Sequence, residues 1–150
     1  MSQSTEAITD DLLRDAVRFH GHLGPFLALG LKAGLFANEV LGKDCFKTRA
    51  IVETEPKPPY SCFVDGVQVA TGCTMGKRNI KIKRGKPLSL IIIKDDKSVK
   101  MILKEEVLES LRNMPFREAA EKKALEIINK PISDLFDINI SPHAGFSSRI

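Results

Sequence analysis

The sequence predicts an α+β fold in one domain spanning residues 1–150, with an antiparallel meander packed against a central apolar helix and further helices. Three observations predict it. Apolar residues recur at helical spacing from Ile8 to Leu41. The runs "NIKIK", "LSLIII" and "SVKMIL" then follow one another with only short polar turns between them, and helical spacing returns from Glu105. A chain of 150 residues buries a core without disulfide staples.

In "TEAITDDLLRDAVRFH", Ile8, Leu12, Leu13, Ala16, Val17 and Phe19 share helical spacing behind Thr5 or Thr9 as a cap, so the first helix ends at the histidines. Pro25 suits the first turn of a second helix, because its missing N–H would be unpaired there in any case. Leu23 or Gly24 stands at the cap. Phe26, Leu27, Leu29, Leu31, Leu35, Phe36, Val40 and Leu41 make this second helix apolar nearly all round, which predicts a central position. Gly30 and Gly34 lower its propensity and so predict a flat face for close approach, an element that a dimer partner would supply.

"KTRAIVETE" is β-prone, and "PKPPYS" punctuates it. "CFVDGVQVATG" has helical spacing through Phe63, Val67 and Ala70, with Ser61 as N-cap, Cys62 at the first helical position and Gly72 just past the end. The turns "RGKP" and "DDK" predict hairpins between the three strands that follow. "LSLIIIKD" is apolar on both faces and therefore central, whereas Ile80 and Ile82 alternate with lysines as on a half-exposed strand. Pro115 divides a short helix from a longer one, whose Phe116, Ala120, Ala124, Ile127 and Ile128 predict a face packed on the sheet. The tail "ISDLFDINISPHAGFSSRI" alternates weakly, which leaves a strand and an irregular path both open.

With 43% hydrophobic and 28% charged residues the composition excludes a disordered chain. Three cysteines at irregular spacing, with no basic-then-apolar leader, predict the reducing cytoplasm. The longest apolar stretch, residues 25–41, is interrupted by Lys32, Asn38 and Glu39 and falls short of the ~20 apolar residues of a membrane helix, so no membrane partner is expected. Net charge is +4, but six of the ten residues in "KRNIKIKRGK" are basic. That patch reads as a lysine-guarded edge strand or as a seat for a small anionic cofactor, and nucleic acid is not expected.

Two imidazoles flank one glycine in "FHGHLGPF". In an extended stretch side chains at i and i+2 point the same way, so His20 and His22 would converge on one ion or substrate. A thiol at a helix N-terminus sees the positive end of the dipole, which would lower the pKa of Cys62 and make it a ligand or nucleophile. Asp65, one turn on, would orient an imidazole. The metal candidates are therefore His20, His22 and Cys62, three ligands with an open fourth position, as at a catalytic zinc or similar divalent ion. Cys62, Asp65 and His22 are the catalytic candidates, and His143 is a candidate fourth ligand.

Eleven residues of helix separate Cys62 from Cys73, about 16 Å at ~1.5 Å each, too far to share an ion or a disulfide. Cys73, Thr74, Lys77 and Asn79 thus belong to a loop at the other helix end, read as a second part of a cofactor pocket or a subunit contact. "GCTMGKRN" fails as a phosphate loop, because three residues separate its glycines and Arg78 stands where Ser or Thr would hold magnesium. An anion nest stays open there. Cys45 has no polar constellation near it and is read as structural.

Together, "FHGHLGPFLALGLKAG" and "CFVDGVQVATGCTMGKRNIKI" resemble the two signature blocks of the FmdE family, named after a component of formylmethanofuran dehydrogenase; the likeness covers about residues 10–105. The resemblance implies an α+β core that tends to dimerise, an archaeal or anaerobic bacterial setting, and a genetic neighbourhood of molybdenum-dependent C1 metabolism. It implies a pocket of His20, His22, Cys62, Asp65 and the Cys73–Asn79 loop. The chain departs from the family twice: Gly24 stands where many members have a cysteine before Pro-Gly, and no cysteine follows Cys73 to build the C-terminal zinc finger of some members. Three functions follow as expectations: a metal-capable protein of redox or C1 chemistry, a binding module for an anionic cofactor, or an accessory subunit docking its Gly30/Gly34 face on a larger dehydrogenase.

Overall fold

Thr9 opens the first helix in the computed structural model, which describes residues 8–112 and 117–142. Its hydroxyl accepts the Leu12 N–H at 3.1 Å, and α1 runs Asp10–His20. The expected second helix, α2, is Pro25–Leu41 with Pro25 in its first turn and Gly24 at the N-cap. Leu27, Leu29 and Leu31 are wholly buried, as the all-round apolar pattern requires.

β1 is Arg49–Thr54 and α3 is Cys62–Thr71, ending at Gly72 as expected. β2 (Ile80–Arg84), β3 (Ser89–Lys94) and β4 (Lys97–Leu103) follow, then α4 (Glu105–Leu111), α5 (Arg117–Ile128), α6 (Ile132–Leu135) and β5 (Phe136–Pro142). The α+β architecture stands, with β3 in the middle of a five-stranded sheet of order β2-β1-β3-β4-β5. Of the expected meander only the β3–β4 hairpin holds; β5 joins β4 antiparallel after three intervening helices. β2 does not form a hairpin with β3; it pairs parallel to β1, Ala50 opposite Ile80, while β1 takes the place beside β3. The reason lies in the connection: α3 sits between β1 and β2 and supplies the long crossover that a parallel pair needs. β2 is thus an edge strand, with Ile80 buried and Ile82 exposed among lysines.

The glycine face of α2 is already covered, and by this chain rather than a partner. A Cβ on Gly30 would lie 2.2 Å from the Phe63 carbonyl oxygen, and one on Gly66 would lie 2.3 Å from that of Leu27. Gly34 faces the side chains of Ala70 and Thr71 one turn further along. α2 and α3 therefore pack backbone to backbone, which fixes the N-terminus of α3 against the C-terminus of α1. The dimer and accessory-docking expectations placed on that face are corrected accordingly.

α5 also differs from expectation. It lies chiefly against α2 rather than on the sheet, with Ala124 and Ile127 buried, because α2 supplies the apolar surface on that side. The tail resolves into β5, paired antiparallel with β4 from Phe136 opposite Leu103. Pro115, Phe116 and His143 lie outside the described residues.

Candidate functional site

His20 is the last residue of α1, not part of an extended stretch. Gly21 follows in the left-handed conformation at φ 111°, its N–H bonded to the Val17 carbonyl at 2.6 Å, and the chain turns sharply there. The two imidazoles do converge, with ring centroids 4.8 Å apart and planes tilted by 45°. A glycine-capped turn achieves what the strand-like spacing was expected to do.

His20 Nδ1 lies 2.6 Å from Asp65 Oδ2, which reaches it from the first turn of α3. With Asp65 ionised, the ring nitrogen donates to the carboxylate, and a neutral His20 then carries its lone pair on Nε2. That Nε2 atom is buried with no hydrogen-bond partner among the described residues. Asp65 is itself steadied: its Oδ1 accepts from Gln68 Nε2 at 3.4 Å, and Gln68 Oε1 accepts the Met75 N–H at 2.9 Å. Buried polar groups are nearly always paired, so an orphaned imidazole nitrogen held in place by a carboxylate points to a missing ligand or ion.

Cys62 begins α3 and is half-buried, but its thiol is not acidic. Burial pushes its pKa up, and the negative charge of Asp65 pushes it further the same way. The expectation of a dipole-lowered thiol is corrected, with burial the larger cause and the Asp65 charge the smaller. Cys62, Phe63 and Val64 donate their N–H groups to the carbonyls of Pro59, Tyr60 and Ser61, so the first amides of the helix are already engaged. For the same reason Ser61 stands at the cap position with helical backbone (φ −71°, ψ −9°) and makes no side-chain cap. Among the described residues no three His, Cys, Asp or Glu side chains gather into a metal-ready group. The structure joins His20 to His22 and His20 to Asp65, with Cys62 adjoining Asp65.

At the other end of α3 the polar atoms are engaged. Asn79 Oδ1 accepts the Thr74 N–H at 2.9 Å, and Asn79 Nδ2 donates to the carbonyls of Cys45 and Thr48 at 2.8 and 3.2 Å. Thr71 Oγ1 accepts the Cys73 N–H, and the buried Cys73 thiol lies 3.5 Å from the Thr48 carbonyl. Burial holds the pKa of Cys73 up. Lys77 is exposed over the Phe46 ring, 5.6 Å from its centroid.

Two concave regions flank this core. One, about 480 Å³, surrounds Lys32, whose Nζ donates to the carbonyls of Ile128 and Lys130 and so closes the C-terminal end of α5. The other, about 440 Å³, adjoins His22 and is walled by Phe26, Tyr60, Leu108, Leu111 and Arg112. Sequence reasoning missed Gln68, Tyr60 and Arg112. Only "PKPPYS" carried a signal, and it read as punctuation.

A model of the family described as "FmdE, Molybdenum formylmethanofuran dehydrogenase operon" matches residues 19–137, a stretch containing every site residue placed above. The chain belongs to the FmdE family. It is 38% identical over 130 residues to a protein of Archaeoglobus fulgidus named a probable S-adenosyl-L-methionine-binding protein. That likeness covers 81% of this chain and 32% of the relative, so the chain spans about a third of the relative's length. A tungsten formylmethanofuran dehydrogenase FmdE-like protein from Syntrophus aciditrophicus has a similar fold, with a TM-score of 0.65 at 16% identity over 99% of this chain and 83% of that one. As an FmdE-family fold, the domain carries its paired imidazoles where α1, α2 and α3 meet.

Proposed function

We propose that this FmdE-family domain binds a divalent metal ion, zinc or one like it, with His20 Nε2 as anchoring ligand, His22 beside it and Cys62 as third donor. The observation that carries the reading is the buried, unpartnered His20 Nε2 behind an Asp65 contact of 2.6 Å. A metal-ligating histidine commonly gives its other ring nitrogen to a carboxylate, which fixes tautomer and orientation. A thiol of raised pKa is no obstacle, because a metal deprotonates the thiol it binds. When bound, such an ion supplies Lewis-acid polarisation of a substrate oxygen. Asp65 holds the His20 ring, Gln68 holds Asp65, and the burial of His20 keeps water from competing at Nε2.

The family description supports a role in or beside one-carbon redox metabolism, on a small substrate of its own or as part of a dehydrogenase assembly. Exposed Phe19, Phe46 and Met75 support self-association as a homodimer, which light scattering after size exclusion tests. The central test is metal content by inductively coupled plasma mass spectrometry. About one ion per chain is expected. His20→Ala and Cys62→Ser are expected to lose it, and Asp65→Asn to lower affinity about 10–100-fold. Unchanged metal in His20→Ala refutes the reading.

A second reading has its own observation: among the described residues no three donors are assembled. In that reading His20 Nε2 is a metal-free base oriented by Asp65, acting on a bound organic ligand. Absence of metal in the native protein, together with ligand-induced shifts of the His20 ring signals in NMR, would favour it.

A further inference from the structure

The groove beside His22 has the makeup of a binding compartment. Its wall holds one cation, Arg112, and no carboxylate side chain among the described residues. Arg112 Nε donates to Glu109 Oε2 at 3.0 Å, which steadies the guanidinium and leaves its two terminal nitrogens as a fork. Gly24, Pro25 and Phe26 line the same groove, so the start of α2 opens into it. That 17-residue helix has no side-chain cap and no acidic residue in its first turn. Ala28 N–H bonds back to the Gly24 carbonyl, while the amides of Phe26 and Leu27 have no partner among the described residues. Open amides and a positive dipole end favour an anion.

The rest of the wall is apolar. Phe26 and Tyr60 pack edge to face with centroids 5.4 Å apart, and Leu108 and Leu111 lie on the same groove. His22 also lines it, and the His22 ring stands 4.8 Å from that of His20, whose side chain is nine-tenths buried with Nε2 unpartnered.

We infer that this groove binds a small amphipathic carboxylate. The carboxylate meets the Arg112 fork and the open α2 amides, and the organic body lies along Phe26, Tyr60 and the leucines. Glu109 already offsets the Arg112 charge, so what the groove offers an anion is the guanidinium's terminal N–H donors and the open start of α2, enough for one carboxylate and too little for a phosphate dianion. The groove's role as substrate compartment of the His20 site rests on the function proposed above; the binding itself does not.

The test is titration of the nitrogen-15-labelled protein with benzoate, benzyl alcohol and phenyl phosphate. Benzoate is expected to bind saturably and to move the amide signals of Phe26, Leu27 and Arg112. Benzyl alcohol should bind about tenfold more weakly or worse, and Arg112→Gln should weaken benzoate about tenfold while leaving benzyl alcohol unchanged. The spectrum of the variant reports at the same time that it is folded. Equal binding of benzoate and benzyl alcohol, tighter binding of phenyl phosphate, or no saturable shifts at all would overturn the inference. A separate zinc titration keeps the two claims apart. Zinc binding without benzoate binding overturns the groove and spares the metal site, and the reverse result does the opposite.

Discussion

The two ends of α3 are built from similar residue types and put to opposite uses. At its C-terminal end Cys73, Thr74 and Asn79 are tied to Thr71, Cys45 and Thr48, and Asn79 alone makes three side-chain hydrogen bonds. At its N-terminal end Asp65 spends its carboxylate on His20 and leaves the far nitrogen of that ring buried and alone. A thiol, a carboxylate or an amide in a signature block therefore says little about function until its partners are known. Satisfied groups hold the fold, and the unsatisfied His20 Nε2 is what the proposed metal site rests on.

Three changes break that comparison in order of size. Gly66→Ala should be the most damaging, because its new Cβ meets the Leu27 carbonyl at 2.3 Å and the Leu31 nitrogen at 2.7 Å, both backbone atoms that cannot step aside. A loss of about 3 kcal/mol or more in urea unfolding is expected, with both ends of α3 affected together. Asn79→Ala acts on one end only. Leaving the Thr74 amide and the Cys45 carbonyl unpaired, with the Thr48 carbonyl keeping only its weak thiol contact, should cost about 2 kcal/mol, with metal and benzoate binding unchanged. His20→Gln should cost about 1–2 kcal/mol, since the Asp65 carboxylate loses its imidazole donor while a neutral amide takes the ring's buried place. Calorimetric zinc titration should show binding gone in His20→Gln and intact in Asn79→Ala. Intact zinc binding in His20→Gln would mean that the orphaned nitrogen is a packing accident.

Much of this fold was legible because the signals were local. The Thr9 cap, Pro25 at a helix start, the apolar run of α2 and the apolar middle of β3 each depend on a few neighbouring residues. Apart from the Ser61 cap and the helical His20, the errors were questions of pairing over distance. Nothing local in "NIKIK" says that β2 pairs with β1, and nothing in Gly30 says that Gly66 comes to meet it. The site was half legible in the same sense. His20, His22 and Asp65 were named from spacing and chemistry, but the His20–Asp65 contact spans 45 positions of chain. The acidity of Cys62 was misjudged because the dipole argument left out its burial and the Asp65 carboxylate one turn on, both of which raise its pKa.

The smallest effect isolates that last point. Burial and the Asp65 charge both raise the pKa of Cys62, so between about pH 7 and 9 it carries less thiolate than a free cysteine and should alkylate more slowly. Peptide-mapped iodoacetamide labelling across that range gives the curve for Cys62 separately from Cys45 and Cys73. Asp65→Asn removes the second cause and keeps the first, so the midpoint should move down only part of the way toward that of a free thiol. Complete recovery in Asp65→Asn would make the carboxylate, not burial, the dominant influence. Labelling of native Cys62 faster than free cysteine at neutral pH would restore the helix dipole as the deciding field, and with it the thiol as a nucleophile in its own right.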